Sequence, residues 1–276
     1  MNEIGGHRHD VSIALTGLDV EAKADILSRA FWASCPTPRE DFAEVSEALV
    51  RTDKIDPASN AEATAQWRLT LKDPDERKLG RRIFDSMTGL ALANIPGFYG
   101  LSMGSAKPYG VYTPALVDRD VVPQHVVILG GERTVVESTT PADVVAEDIA
   151  TPSSPGVAVP TGPTIDLPLG TIVGARSGDK GGNANIGVFC RSETEYVWLE
   201  DFLTIDRMRE LLPEAAELEI ERWPMPSFLS MNFLIHGILQ EGVAASTRQD
   251  GQAKSLGEWL RARIVPIPEA LTPAAS

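Results

Sequence analysis

The clearest pattern of hydrophobic and polar positions lies in residues 63–73, whose sequence is ATAQWRLTLKD. Through position 72 the odd positions are apolar and the even positions are polar, a period of two that predicts a half-buried β-strand. Residues 11–17 alternate in the same way, with Val11, Ile13 and Leu15 on one face. They predict a second strand that packs one face against a core.

Other parts of the first half carry apolar residues at helical spacing. One helix is predicted from Asp19, an N-cap residue type, to the proline at position 36. Another is predicted from Asp73 to the Pro-Gly pair at 96–97. Residues 40–51 fit either a helix or a strand. If they form a strand, the order β-α-β-β-α-β predicts a ferredoxin-like α+β sandwich.

A proline-rich stretch, residues 138–168, interrupts these patterns with prolines at positions 141, 152, 155, 160, 163 and 168. Proline lacks the N–H that a strand ladder needs and favours extended backbone, so we expect an exposed linker here. This linker divides the chain into domains at 1–137 and 169–276. The first domain is predicted to end in a hairpin over 126–138 that turns at two glycines.

The second predicted domain repeats this mixture on a smaller scale. Strands are predicted at 169–176, 184–190 and 217–223, and helices at 229–240 and 251–264. We therefore predict an α+β fold, with two ferredoxin-like α/β sandwich domains joined by the proline-rich linker.

The composition of the chain argues against several classes of function. The 276 residues carry a formal net charge of −14, which argues against broad nucleic-acid binding and against an anionic membrane surface. Cys35 and Cys190 are too few for a disulfide framework, and His7 and His9 lie at a terminus expected to fray, so no metal site is expected. No apolar run reaches the length of a membrane span and the start lacks a signal pattern, so we expect a cytoplasmic protein.

The glycine-rich segment 174–188, GARSGDKGGNANIGV, lies between two predicted strands. Its spacing matches neither a P-loop nor a dinucleotide fingerprint. A tight connection in which Asp179 and Asn183 bond local backbone groups explains part of the composition. A plain turn has no use for so many polar residues, so the segment also supplies candidate site residues: Arg176, Ser177, Asp179, Lys180, Gly181, Gly182, Asn183 and Asn185.

The predicted helix 229–240 is a second candidate. Asn232, His236 and Gln240 stand four residues apart and predict a polar stripe on an otherwise apolar helix. His236 is then either a hydrogen-bonded boundary residue or a group for proton transfer.

Residues 102–119 are a third candidate. Their prolines, glycines and aromatic residues fit an ordinary packed loop. They also fit an anionic-substrate site lined by Lys107, Tyr109, Tyr112 and Arg119.

Several long stretches of the sequence resemble one known family. The segment 174–188 and FLSMNFLIHGILQEGVAASTRQDGQAKSLGEWL resemble the small C-terminal domain of the acyclic terpene utilisation (AtuA) family, over about residues 169–265. Upstream, LTGLDVEAKADIL, ATAQWRLTLKDPDERKLGRRIFDSMTGLALANIPGF and YGVYTPALVDRDVV resemble the later part of the family's main domain. The resemblance implies a ferredoxin-like fold for the C-terminal domain. Longer members carry a preceding region with a glycine-rich N-terminal stretch, which we expect to be absent here and supplied by a second protein chain within an oligomer.

The resemblance also implies an activity. The family is associated with catabolism of acyclic isoprenoids through branched acyl-CoA thioesters, which implies a lyase-type subunit for hydration or carbon–carbon cleavage of these thioesters or related carboxylates. Such reactions need an acid/base group and an oxyanion or phosphate cradle. We assign catalysis to Asp179, His236 and Lys180, and substrate binding to Arg176, Ser177, Gly181, Gly182, Asn183, Asn185 and Asn232. No cofactor is expected beyond a CoA thioester as substrate. The alternative is a non-catalytic binding or assembly subunit whose glycine-rich loop grips a partner chain.

Overall fold

The computed structural model describes residues 2–91, 93, 95–137 and 152–272. These residues form two compact units. The first unit comprises 2–111 and 244–249, and the second comprises the described residues of 112–243 and 250–272. Residues 138–151 of the predicted linker lie outside the described part, and the predicted domain boundaries stay a prediction. No helix of the described residues is long and apolar enough to cross a membrane.

The first unit is built around a sheet whose strands pair antiparallel in the order β2-β3-β1-β4, with β5 also beside β1. Its elements are β1 (Asn2–Thr16), α1 (Val20–Ser34), β2 (Glu44–Val50), β3 (Thr64–Asp73), α2 (Arg81–Ala91), β4 (Phe98–Ser102) and β5 (Lys107–Tyr112). Residues 40–51, which fit either element by sequence, supply β2. The predicted order β-α-β-β-α-β of a ferredoxin-like sandwich is confirmed.

Alternation along the strands decides which face of this first sheet is buried. Ile13 of β1 pairs with Trp67 of β3, and both side chains are buried. The apolar sides of α1 and α2 complete the same core with Leu27, Phe31, Ile83 and Met87. Burying each such side chain stabilises the fold by about 1.5–3 kcal/mol.

The second helix begins later than predicted. β3 extends through Asp73, whose carboxylate accepts hydrogen bonds from the Asp75 N–H and from Lys78 Nζ, both at 2.8 Å. α2 starts only at Arg81, after Gly80 adopts a left-handed φ of +65°. Asp73 therefore anchors a turn instead of capping the helix.

The described residues of the second unit form three separate sheets. Its elements are β6 (Gln124–Val127), β7 (Arg133–Val136), β8 (Thr164–Pro168), β9 (Gly174–Lys180), β10 (Asn183–Phe189), α3 (Glu193–Phe202), α4 (Ile205–Leu211), β11 (Ile220–Met225), β12 (Ser230–Ile235), α5 (Leu256–Ala262) and β13 (Ile264–Pro268). The main sheet has the order β11-β12-β10-β9, and among the described strands β8 pairs with β13 alone. β8 falls in the predicted linker, and its one proline, Pro168, is tolerated because the strand has a single neighbour among the described strands. The predicted hairpin over 126–138 is confirmed as β6–β7.

The prediction of a helix over 229–240 is wrong, because this segment forms β12. β12 pairs antiparallel with β10 on one side and with β11 on the other. Met231, Phe233 and Ile235 are fully buried while the residues between them are partly exposed, which is the alternation of a strand. By sequence alone, a nearly continuous apolar run fits either a helix or a strand. Here the segment is a strand because it pairs with a strand on each side.

The glycine-rich segment 174–188 is a hairpin and not a loop. β9 and β10 pair along their whole length, and only Gly181 and Gly182 lie between the last pair. Gly181 has a φ of +67°, and a two-residue turn with a positive φ at its first position suits the twist of a hairpin. Most of the polar residues therefore lie on strands, where alternation sends them to opposite faces.

Candidate functional site on the outer face of the second sheet

The main sheet of the second unit has two unlike faces. Its inner face carries Ala184, Ile186 and Phe233, which belong to the core formed with α3, α4 and α5. The opposite face carries the even positions of β9 and β12 and the odd positions of β10 and β11. We call it the outer face, defined by Arg176, Lys180, Asn183, Asn185, Gly187, Phe189, Glu221, Trp223, Asn232, Leu234 and His236.

His236 lies directly after β12 and is hydrogen-bonded through both ring nitrogens. Its Nε2 lies 2.6 Å from Oε1 of Glu221, and its Nδ1 lies 3.3 Å from Nδ2 of Asn183. The amide orientation of Asn183 is fixed because its Oδ1 accepts from the Gly237 N–H at 2.9 Å. Since Nδ2 can only donate, Nδ1 of His236 accepts and Nε2 carries the proton that Glu221 accepts.

The two side-chain contacts of His236 differ in length, and the ring is accessible from one side. The side chain is one-third exposed, so a ligand reaches the ring. The 3.3 Å contact at Nδ1 is at the long, weak end of hydrogen bonding, and a ligand hydroxyl or water displaces it at little cost.

Two asparagines continue the polar surface beside the histidine. Nδ2 of Asn185 on β10 donates to Oδ1 of Asn232 on β12 at 3.0 Å. This bond leaves the amide N–H₂ of Asn232 facing the partly exposed surface as a donor. Asn232 and His236 still lie on one face, as predicted, because residues four apart are also on the same side of a strand. Gln240 is not part of it, since it lies beyond β12 with a φ of +55°.

Cations line the β9 edge of the outer face. Arg176 and Lys180 are exposed there, and Lys254 Nζ lies 3.8 Å from the Asp179 carboxylate. Lys180 Nζ donates to the Asp179 backbone carbonyl at 2.9 Å. Within the described part of the chain, Arg176 lies opposite Gly187 in the ladder, and its side chain has no hydrogen bond or ion pair. In a chain of net charge −14, this edge therefore concentrates positive side chains.

Two predicted site residues point away from His236. Ser177 and Asp179 occupy odd positions of β9, so their side chains lie on the inner side of the sheet. Oγ of Ser177 accepts from the Gly257 N–H at 2.9 Å, which fastens α5 to β9. Asp179 faces Lys254 at the sheet edge. The structure therefore brings together six of the predicted polar residues, which are Arg176, Lys180, Asn183, Asn185, Asn232 and His236.

The glycine turn packs against its own unit. The Gly182 carbonyl accepts from the Leu239 N–H at 2.9 Å, and a Cβ at Gly182 would lie 2.2 Å from the Gln240 carbonyl oxygen. Gly182 therefore has a packing reason to lack a side chain. The assignment of Gly181 and Gly182 to substrate binding stays a prediction.

Clefts also occur among the described residues of the first unit, and two of them contain charged side chains. One, of about 310 Å³, is lined by residues around Arg51, which pairs with Asp53. The other, of about 400 Å³, contains Glu47, which accepts hydrogen bonds from Arg39, Trp32 and Trp67. Burial raises the pKa of Glu47, but these hydrogen bonds outweigh it and hold the pKa below its usual range. A carboxylate with that many donors is a structural anchor, so the chemistry favours the outer face of the second sheet.

The residues of the third candidate segment, 102–119, lie in different places. Tyr109 and Tyr112 lie on opposite faces of β5, and Arg119 lies in a separate short turn.

His9 lies within β1, so the expectation of a frayed terminus there is wrong. Across the part of the chain that the structure describes, no group of three or more His, Cys, Asp or Glu side chains is placed to hold a metal ion.

Two family models match the chain, one over each half. The model described as "Acyclic terpene utilisation family protein AtuA" matches residues 1–128, and the model of the AtuA ferredoxin-like domain matches residues 167–266. Together the two ranges span most of the chain. The chain belongs to the AtuA family. Neither a curated protein nor a solved structure matches it.

The outer face lies wholly within the AtuA ferredoxin-like domain, since all its residues fall between 167 and 266. Sequence reasoning missed two of this AtuA chain's charged groups at the site, Glu221 and Lys254. Glu221 sits in the alternating stretch 217–223, where the odd positions are all acidic or aromatic, and that pattern marks a solvent-facing side. Lys254 has no such pattern, because it reaches Asp179 only through the fold.

Proposed function

We propose that this AtuA-family chain is a subunit of an enzyme that moves a proton at a carbon beside a thioester or carboxylate carbonyl. The reaction is a hydration or a carbon–carbon cleavage of a branched acyl-CoA or a related carboxylate. The observation that carries the proposal is the placement of His236 between the Glu221 carboxylate and the Asn183 amide. A partly exposed histidine oriented by a carboxylate is a general acid/base in many enzymes.

In the hydration, Nδ1 of His236 takes a proton from water while the water oxygen bonds to the β-carbon of an enoyl thioester. The electron pair of the double bond moves towards the thioester oxygen, and a proton then adds at the α-carbon. In the cleavage, the same nitrogen takes the proton of a 3-hydroxyl group. The bond between the α- and β-carbons breaks, its electron pair forms the enolate of the thioester, and the α-carbon is protonated.

The remaining outer-face residues have supporting roles in this proposal. The Asn232 amide donates to the thioester oxygen as negative charge develops there, an interaction whose loss typically costs about 100-fold in rate. Arg176 and Lys180 bind the phosphate or carboxylate of the substrate. Asp179 is the weaker candidate for proton transfer, because its side chain belongs to the inner side of β9 and pairs with Lys254 at the sheet edge. A second protein chain completes the enzyme, and the CoA thioester is its substrate and not a resident cofactor.

Product analysis by mass spectrometry tests the proposal. The complex isolated from its own host is incubated with enoyl-CoA and 3-hydroxyacyl-CoA thioesters that carry a methyl branch at the β-carbon. We expect gain or loss of one water, or cleavage into two carbonyl products. His236→Ala is expected to lose this turnover. His125→Ala, which changes an exposed histidine on β6, is the matched control and keeps it.

Two results contradict the proposal. Full turnover by His236→Ala in the assembled complex removes this histidine from the site. If the wild-type complex turns over none of the thioesters, the enzyme hypothesis fails, and the alternative of a non-catalytic binding or assembly subunit takes its place.

A further inference from the structure

The segment that carries the β6–β7 hairpin exposes an unusual amount of apolar surface. Every residue from 113 to 137 is exposed or nearly so. Ten aliphatic side chains within it are at least 44% exposed: Leu116, Val117, Val121, Val122, Val126, Val127, Ile128, Leu129, Val135 and Val136. Monomeric proteins rarely leave so many aliphatic side chains of one segment exposed to solvent.

The hairpin also lacks strand neighbours. β6 pairs only with β7 among the described strands, so the outer edge of each strand is open. A two-stranded sheet is marginal in water and gains stability when further strands extend it. Its edges carry no proline and no lysine, the residues that usually prevent edge-to-edge pairing.

The sequence of β7 is complementary to itself. With the residue that follows the strand it is Arg-Thr-Val-Val-Glu, residues 133–137, a cation at one end and an anion at the other. When two such segments pair antiparallel about Val135, Arg133 of each copy faces Glu137 of the other. Val135 then faces Val135, and both ends carry an opposite-charge pair, which is the cross-strand arrangement that stabilises sheets.

We infer that two copies of this chain associate through β7, forming a four-stranded antiparallel sheet in the order β6-β7-β7-β6. A two-fold axis through the Val135 pair makes the same patch face itself, as closed dimers require. Pairing of the open β7 edges gives each hairpin a further strand neighbour, and the two Arg133–Glu137 pairs fix the register.

Sedimentation velocity of the full chain over a concentration series tests this dimer. The wild type is expected to show a reversible monomer–dimer equilibrium. Glu137→Arg places arginine opposite arginine at both ends of the pair and is expected to raise the dimer dissociation constant about tenfold. The double variant Arg133→Glu/Glu137→Arg restores both opposite-charge pairs and is expected to return to the wild-type constant.

Glu132→Arg is the matched control, since it makes the same change of charge one residue outside the proposed pairing. It is expected to leave the dissociation constant unchanged, and circular dichroism checks that all variants fold. A wild-type chain that stays monomeric overturns the inference. So does a Glu137→Arg variant that associates like the wild type, or a double variant that fails to recover. A different protein bound at the hairpin, released by Glu137→Arg, also overturns it in favour of an unlike partner.

Discussion

The two units of the chain each hold a histidine with both ring nitrogens hydrogen-bonded, and the partners differ in kind. His9 in the first unit is buried, accepts from the Gly80 N–H at 3.1 Å and donates to the Met103 carbonyl at 2.8 Å. His236 in the second unit is one-third exposed and contacts two side chains, Glu221 and Asn183. The first ring joins backbone segments, whereas the second belongs to a set of polar side chains on a sheet face.

The hydrogen-bond partners of a histidine indicate whether the ring is fixed as part of the structure or can exchange its partners for a ligand. Buried backbone groups lose a hydrogen-bond partner only at a cost in free energy. His9 is therefore fixed in one neutral tautomer. Side-chain partners on an accessible face can exchange with a ligand, because they reach water and can find other hydrogen-bond partners. The comparison predicts opposite consequences for stability and for turnover at the two positions.

The largest expected effect is the loss of stability on removing the ring of His9. His9→Ala leaves the Gly80 N–H and the Met103 carbonyl without partners in a buried place, and it also leaves a cavity. We expect the free energy of unfolding of the first unit to fall by about 3 kcal/mol. His236→Ala is expected to cost no more than about 1 kcal/mol, because its partners reach water. Urea unfolding measures both, and equal losses contradict the distinction.

The next effect separates two glycines of the second unit. Gly182→Ala places a Cβ 2.2 Å from the Gln240 carbonyl oxygen and is expected to cost about 2 kcal/mol in unfolding free energy. Gly187→Ala, on the outer face of β10, meets its nearest atom at 3.9 Å. It is expected to be neutral or to stabilise by about 0.5 kcal/mol, since alanine suits a strand better than glycine. Thermal unfolding of the pair checks this, and a tolerated Gly182→Ala removes the packing explanation.

The smallest effect concerns pH. Burial holds the pKa of His9 below its ordinary value of 6.5, and the hydrogen bond to Met103 opposes this only in part. Below about pH 6.5 the unfolded chain takes up a proton that the folded ring refuses, so the free energy of unfolding falls as the pH falls. His9→Gln is expected to lose this component. Urea unfolding between about pH 7.5 and 5.5 measures it, above the range where paired carboxylates such as Glu47 titrate. Identical slopes in both proteins contradict it.

The sequence predicted the first unit well and the second less completely. Period-two strands such as 63–73 and the ferredoxin-like order follow from local patterns, which act over a few residues. The run 229–240 fits a helix or a strand, and only its two neighbours in the sheet decide for β12. Glu221 became visible as a partner of His236 only through the pairing of β11 with β12.

The glycine-rich segment 174–188 also shows that local sequence patterns do not predict which side chains share a face. As a loop it presents all its polar residues together. As a hairpin it sends Arg176 and Lys180 to the outer face and Ser177 and Asp179 to the inner side. Residue type was therefore a good guide to which segment carries chemistry. It was a poor guide to which side chains act together.

The most direct test of the central claim is the turnover number of His236→Gln in the complex isolated from its host, at a matched folded fraction. Glutamine keeps a polar side chain of similar size but cannot take up a proton. We expect turnover of the branched thioester to fall by at least about 100-fold while the unfolding free energy changes by less than about 1 kcal/mol. Turnover that stays within about threefold of the wild type contradicts a catalytic His236.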